Sequence, residues 1–405
     1  MTEVTVLKEK GSDRLGSQEV LLNLGPQHPS THGVLQLVLH LDGEIVERVS
    51  PNIGYLHRGT EKLAETFTYT QIIPLTDRLD YVCPPTSNQA FVLGVEKLLD
   101  IEAPERAQYI RVIMAELARI SGHLLIVGAL PMDLGAMTTL LYTMREREMI
   151  MDIMEMISGA RMHTSFCRVG GVREDLPEGA IERILEFCDI LPNRLIDYEK
   201  LVAKNRIFLK RTQNVGVVAP EDAIDIGLSG PNLRASGVDW DIRRDSPYEI
   251  YDRLEFKVIV RENGDCYDRW ACRIDEMREC VKMIRQCIAQ MKEGPFQIDI
   301  PTIAFPVDKE LLGHSMETHI HHFELSAYGF KVPKGEVYVP IEAPKGELGY
   351  YMISDGSEKP TRFKVRAPSF VNLQALEFGT TNMKYLADVV AMLGSLDPVI
   401  AEVDK

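Results

Sequence analysis

The sequence predicts an α+β fold, with a helical middle and strands toward both ends. Three observations carry that expectation. Alternating polarity with Asp-Gly turns marks both ends of the chain, and apolar residues spaced three and four apart mark the long stretches between them. The two kinds of segment do not alternate, as they would around a parallel sheet. The 405 residues, 45% hydrophobic and 26% charged, have an ordinary globular composition and enough chain for two or three cores.

From Glu19 to about His57 the pattern is β: Leu35, Leu37, Leu39 and Leu41 alternate with mixed positions, Asp42-Gly43 supplies a turn, and Glu44 to Val49 returns. The loop before this hairpin, Gly25-Pro26-Gln27-His28-Pro29-Ser30-Thr31-His32-Gly33, holds too many prolines and glycines for a regular element, which stiffens the backbone under His28 and His32. Helical spacing covers Thr86 to Asp100, Glu105 to Gly128, Ala136 to Ser158 and Glu178 to Lys204, with Pro104, Pro131 and Pro177 as breaks. These helices are apolar on more than one face, as in the interior of a bundle. Methionines 132, 137, 144, 149, 151, 154, 156 and 162 crowd the same region. The favoured reading is adaptable core filler, and the other is a wall for a flexible apolar ligand. Gly227 to Gly237 is glycine-rich but does not join a strand to a helix, so it reads as a structured connection rather than a phosphate loop. A helix over Cys266 to Lys292 follows. Strands at Gly335 to Pro340, Leu348 to Ser354 and Thr361 to Arg366, an Asp355-Gly356 turn, a helix over Met383 to Gly394 and the tail Ser395 to Lys405 complete the chain. The expected division is an N-terminal β region (1–60), a central bundle (61–295) and a C-terminal β region (296–405) packing back on the bundle as one integrated fold.

Charge excludes some functions. Sixty Asp and Glu against 45 Lys and Arg, a net charge of -15, argue against a nucleic-acid or anionic-lipid binder. A membrane span needs roughly 20 consecutive apolar residues, and the longest run here, Leu124 to Met132, is far shorter. The amino terminus MTEVTVLKEKGSDR lacks the apolar core of a secretory signal, which points to the cytoplasm. Cys83, Cys167, Cys188, Cys266, Cys272, Cys280 and Cys287 form no C-x-x-C pair, so any metal centre is expected to come from elsewhere.

Four places could carry chemistry. His28 and His32 share the stiff loop, where an imidazole can deliver a proton or simply be satisfied in a turn. In Asp77-Arg78-Leu79-Asp80-Tyr81, the tyrosine can donate a phenolic proton and the arginine can hold an anion; the bland reading is an ion pair of Arg78 with Asp77 or Asp80 plus a core tyrosine. Asp133 is either the N-cap of the next helix or a carboxylate poised beside a histidine. His314, His319, His321 and His322 are numerous enough for a metal, but an exposed helix face is the better reading.

GPQHPSTHGVLQL, NIGYLHRGTEKL, DRLDYV, VEKLL, SGARMH, GGVREDLP, LRASGV, PKGEVYVP, KGELGYY, RAPSFVNLQ and the tail LDPVIAEVD run in order to the end of the chain. Together they resemble the quinone-reducing D-subunit of respiratory complex I, NADH-quinone oxidoreductase. That family is similar in turn to the large subunit of nickel-iron hydrogenases, which hold their metals with four cysteines in R-x-C-G-x-C-P and D-P-C-x-x-C. The matching stretches here, Arg78 to Pro84 and Asp397 to Glu402, keep only Cys83. Such a set cannot assemble a dinuclear thiolate site, and the vacated pocket becomes a candidate quinone site.

The resemblance implies a hydrogenase-like fold and a set of roles. His32 and Tyr81 fall at the quinone headgroup, Asp133 where an aspartate pairs with that histidine, and Arg78 and His163 near a [4Fe-4S] cluster held by the neighbouring B-subunit. His28 and Arg58 lie in matching motifs as weaker candidates, for the quinone and the cluster respectively. Ubiquinone or menaquinone would be the substrate and no cofactor would be bound covalently by this chain. Subunits B, C and I and the membrane subunits H and A would be the partners, with the chain peripheral on the cytoplasmic side of the inner membrane. Quinone reduction would be coupled to ion translocation in the membrane subunits. Cys83-Pro84-Pro85 departs from the family pattern and stiffens the wall after Tyr81. Two alternatives stand beside this: a structural docking role, or the same role in a ferredoxin- or F420-dependent relative.

Overall fold

The structure, a computed structural model, describes residues 3–9, 18–306, 310–379 and 383–405. Part of the amino-terminal stretch read for a signal lies outside the described residues. Strands β1 (Glu3–Glu9), β2 (Gln18–Leu24), β3 (Gln36–Asp42) and β4 (Ile45–Asn52) form an antiparallel sheet in that order. The leucine alternation sets its inner face: Leu37 and Leu39 are fully buried and pack with Met392, Leu393 and Leu396 of the Leu386–Leu396 helix. Each such leucine contributes about 2 kcal/mol by leaving water.

The centre is a bundle built on the helix Glu105–Asp133, which packs against Pro84–Leu99, Met137–Ser158, Cys266–Gln290 and Leu386–Leu396. It is long and apolar enough to cross a membrane, yet 89% of its most apolar window is buried within the protein. Close packing explains two of its glycines: a Cβ at Gly122 would sit 2.6 Å from Cys83 Sγ, and one at Gly128 would sit 2.2 Å from Thr143 Oγ1. The expected break at Pro131 does not occur. Proline strips the carbonyl four residues earlier of its helical donor, and Trp270 Nε1 donates to that carbonyl, Val127 O, at 3.1 Å. The helix therefore runs on to Asp133.

Several charges inside the bundle are paired. Arg111 meets Glu96 (2.6 Å) and Glu249 (2.9 Å), Arg243 meets Asp241 (2.7 Å) and Glu116 (3.2 Å), and Arg234 meets Glu276 (2.7 Å) and Glu342 (2.8 Å). Helices Thr60–Ala64 and Tyr69–Asp77, the latter containing Pro74, precede the bundle and were not expected from the spacing. The methionine expectation holds only in part. Met151 and Met154 are core residues, whereas Met137, Met144 and Met156 are 63%, 39% and 41% exposed because Met137–Ser158 has an outer face, and Met162, beyond that helix, is 38% exposed.

Beyond a short pair, β5 (Cys167–Arg168) and β6 (Gly171–Val172), the strands β7 (Gly335–Ala343), β8 (Gly346–Ser354) and β9 (Pro360–Arg366) form a second antiparallel sheet. Ala343 pairs with Gly346, so Pro344 and Lys345 form the tip of a hairpin, and both are buried. The glycine-rich connection, which contains the short helix Pro231–Arg234, comes up against that tip: a Cβ at Gly230 would lie 2.4 Å from Gly346 Cα. The His-rich stretch forms the helix Met316–Ala327, with only Leu325 buried. Among the described residues no cluster of three His, Cys, Asp or Glu side chains is placed to hold a metal ion.

Candidate functional site

Tyr81 lies in the bend between Tyr69–Asp77 and Pro84–Leu99, whose first turn is built from Pro84 and Pro85, positions where a missing N–H costs nothing. Asp80 shapes the bend. Its Oδ1 accepts from Val82 N at 3.1 Å, its carbonyl accepts from Cys83 N at 3.1 Å, and its Oδ2 meets Lys345 Nζ at 2.9 Å. Tyr81 is 39% exposed, not a core tyrosine. Burial raises its phenol pKa, opposed by Lys345 and helped by Asp80 and Asp397, so the hydroxyl keeps its proton at every working pH.

The histidine loop contains one 3-10 turn, Pro29–Thr31, where no regular element was expected. His28 caps it, accepting from Ser30 N through Nδ1 at 3.2 Å, while Thr31 Oγ1 donates to His28 O at 2.9 Å. His32 closes the turn at φ 51°, in the left-handed region, and its ring is half-buried. Burial and then the charge of Lys345 lower its pKa to about 4, so the imidazole is neutral at pH 7. His32 and Tyr81 thus come from separate segments and share the field of one cation.

Asp133 is the last residue of its helix, and the next helix starts after Ala136, so the N-cap reading is corrected. Its Oδ2 faces the Leu386–Leu396 helix, 3.3 Å from where a Cβ at Gly394 would be. The turn under His32 packs on the same helix. Burial raises the Asp133 pKa to about 6. Among the described residues no hydrogen bond or ion pair joins Asp133 to His32.

The Arg78 ion pair is also corrected. Asp80 is taken by Lys345, and Asp77 accepts from Ser165 N at 3.1 Å and from Ser165 Oγ. Arg78 instead donates to Pro74 O at 2.7 Å, and Arg58 donates to Arg78 O at 2.6 Å; both side chains are exposed. His163 is half-buried near Asp77, with its Nδ1 unpartnered. Burial raises the Asp77 pKa, against the pull of Ser165, Asn88 and His163.

Sequence reasoning passed over Lys345, Asp397 and Glu402. Lys345 stands in the KGELGYY motif, but its partner is 265 positions away, a separation that no local pattern reports. Asp397 caps the Leu386–Leu396 helix in the left-handed region at φ 57°, and its buried Oδ2 has no partner. Glu402 accepts from Ser369 N at 2.9 Å, and burial, then Asp80, raise its pKa to about 7. Cys83 donates from Sγ to Ala118 O at 3.2 Å, and burial drives its thiol pKa up, so it packs rather than reacts. The tail folds back here: Asp404 accepts from Gly54 N at 2.9 Å and Leu56 N at 2.7 Å, tying it to the segment that carries Arg58. Cavities of about 530 and 580 Å³ are lined by residues such as Phe296, Phe305, His322 and Ile298, not by His32 or Tyr81. Beside Tyr81 runs a crevice of about 20 Å³ between Val82, Pro85, Arg147 and Met151.

Comparison with known proteins places the chain. The family described as respiratory-chain NADH dehydrogenase, 49 Kd subunit, matches residues 133–405. The NADH-quinone oxidoreductase D-subunit 2 of Rhizobium etli (strain CIAT 652) is 76% identical over 405 residues, all of both chains. D-subunit 2 of Rhizobium meliloti (strain 1021) is likewise 76% identical over the full length of both. The NADH-quinone oxidoreductase D-subunit of Geotalea uraniireducens is 55% identical over 392 residues, 96% of this chain and 100% of that one. Both the C-terminal two thirds that the family describes and the full-length relatives lead to one conclusion: the chain belongs to the 49 kDa subunit family of the respiratory-chain NADH dehydrogenases, the D-subunit family of NADH-quinone oxidoreductases.

Proposed function

We propose that this chain reduces a quinone, ubiquinone or menaquinone, at a headgroup site formed by Tyr81 and His32. The electrons would come from a [4Fe-4S] cluster held by the B-subunit of a proton-pumping NADH:quinone oxidoreductase. The carrying observation is that Tyr81 directly follows Asp80, whose carboxylate holds the buried Lys345 at 2.9 Å, and that the charge of the same lysine acts on His32 from a separate segment. The quinone takes two electrons and two protons and leaves as quinol. Tyr81, protonated and partly exposed, is fitted to donate to one carbonyl oxygen, and a neutral His32 to donate through its N–H to the other. Because His32 is neutral, it orients the headgroup first and passes a proton only after taking one up. Asp133, partly protonated near neutrality, would then pair with and stabilise the charged imidazole. His28, already engaged as a cap, plays the lesser part.

Arg58, Arg78 and His163 surround the outer end of Tyr69–Asp77, where exposed guanidinium groups suit a face that the cluster-bearing partner covers. The same reading carries a hydrogenase-like architecture, a division into 1–60, 61–295 and 296–405, partners C, I, H and A, and a peripheral position on the cytoplasmic side of the inner membrane. The narrowness of the 20 Å³ crevice favours one alternative, a docking role with the quinone bound elsewhere. Photolabelling the assembled complex with an azido-quinone separates the two. The proposal expects label in peptides containing Tyr81 or His32, competed by unlabelled quinone. Label confined to other chains of the complex contradicts it.

A further inference from the structure

We propose that Lys345 is the fixed cation of the Tyr81 and His32 site, a positioning residue whose charge stabilises the negative charge that arriving electrons place on the headgroup oxygens. This rests on the quinone reading above. A carbonyl oxygen that gains electron density before its proton is costly in a low-dielectric pocket unless a preorganised positive charge faces it. Arg58 and Arg78 are exposed and turn their guanidinium groups to backbone carbonyls. Lys345 is buried and held 2.9 Å from the carboxylate of Asp80, the residue before Tyr81, and its charge opposes protonation of His32 as well.

Its placement is enforced from several sides. The Ala343–Gly346 pairing puts Lys345 at a hairpin tip, Asn372 Nδ2 donates to its carbonyl at 3.0 Å, and Pro344 packs beside Gly122 and Cys83. The side chains of Lys345 and Asp80 are 1% and 4% exposed. A buried ion pair is a poor device for stability, because desolvating both charges consumes most of what their attraction returns. Stability alone therefore does not account for the pair, and a charge held beside Tyr81 is placed to serve the headgroup. Asp80 contacts the ammonium at 2.9 Å, Cys83, Asp397 and Glu402 act on it as further negative or titratable neighbours, and its own charge acts on His32 and Tyr81. Burial disfavours its charge, but the acidic neighbours outweigh burial and the ammonium stays protonated. The unpartnered Asp397 Oδ2 and the half-titrating Glu402 leave the pocket able to accept a change in charge.

The test uses the assembled complex in membranes with Lys345→Met, Asp80→Asn/Lys345→Met and Tyr81→Phe. Lys345→Met is expected to lower quinone reductase turnover about tenfold or more, while NADH still reduces the partner's cluster. The acid limb of its pH profile should rise by about one unit as His32 loses a repelling neighbour. The double variant removes both charges, so it preserves assembly if the single one does not, and it should be as slow and show the same acid-limb shift. Turnover restored by the double variant, or an acid limb that stays in place in both, overturns the proposal. Tyr81→Phe distinguishes the levels: unimpaired turnover there refutes the quinone reading itself, whereas impaired turnover beside a wild-type-like double variant refutes only the role of Lys345.

Discussion

Two sets of buried charges, one in the bundle and one under Tyr81, are built on opposite terms. In the bundle, Arg111, Arg119, Arg234 and Arg243 each meet at least one carboxylate, and the carboxylate of Glu116 is held below its ordinary pKa, its own burial outweighed by Arg119 and Arg243. Under Tyr81 there is one ion pair, Asp80 with Lys345, beside a carboxylate oxygen without a partner and a glutamate shifted to about 7. The arginines around Glu116 hold it charged. Glu402 under Tyr81 is raised instead into the range where proton chemistry is run.

The widest separation between the two regions comes from Arg243→Met. It removes one of the two arginines paired with Glu116 and the nearer partner of Asp241, leaving Arg119 and the more distant Arg234 to them, so a loss of about 3 kcal/mol is expected, read as failure to assemble or a large drop in melting temperature. A variant as stable as the parent would mean that the bundle charges are not what holds it. His32→Asn should do the reverse. Asparagine tolerates the left-handed conformation, so melting changes little, whereas quinone reductase turnover falls on the order of 100-fold; equal turnover would remove His32 from the site.

Asp133→Asn sharpens the comparison through pH. A folded pKa of about 6, above the ordinary carboxylate value, means that the charge costs stability as pH rises from about 4 through 6. The variant should therefore gain about 1–2 kcal/mol at pH 8 and nothing at pH 4, while turnover falls mildly. A gain independent of pH would show that burial of the charge is not the cause. The smallest effect is expected at Met137, 63% exposed: Met137→Ser should change stability by less than about 0.5 kcal/mol in the isolated chain. A larger loss by thermal denaturation would place it in the core.

Most of the fold was legible because period-2 and period-3.6 patterns are local. The leucines of β3 and the long helices follow them directly. Pro131 misled because its freed carbonyl is satisfied by Trp270, distant in sequence, and the misplaced helix end carried Asp133 with it into a false N-cap. The methionines misled because most of them are spread over both faces of the helix Met137–Ser158. At the site, His32 and Tyr81 announced themselves by residue type in stiff or bent segments. Lys345 did not, since a lysine in a strand-rich motif reads as a solvated charge until the fold buries it against Asp80.

Tyr81→Phe in the assembled complex, with reduction of the partner's cluster by NADH and quinone turnover followed in one preparation, tests the headgroup site. Removing a single phenolic oxygen leaves the packing in place. The account predicts full cluster reduction with turnover lowered at least about tenfold. Cluster reduction and turnover both at the parent's level, with several quinones, would contradict it.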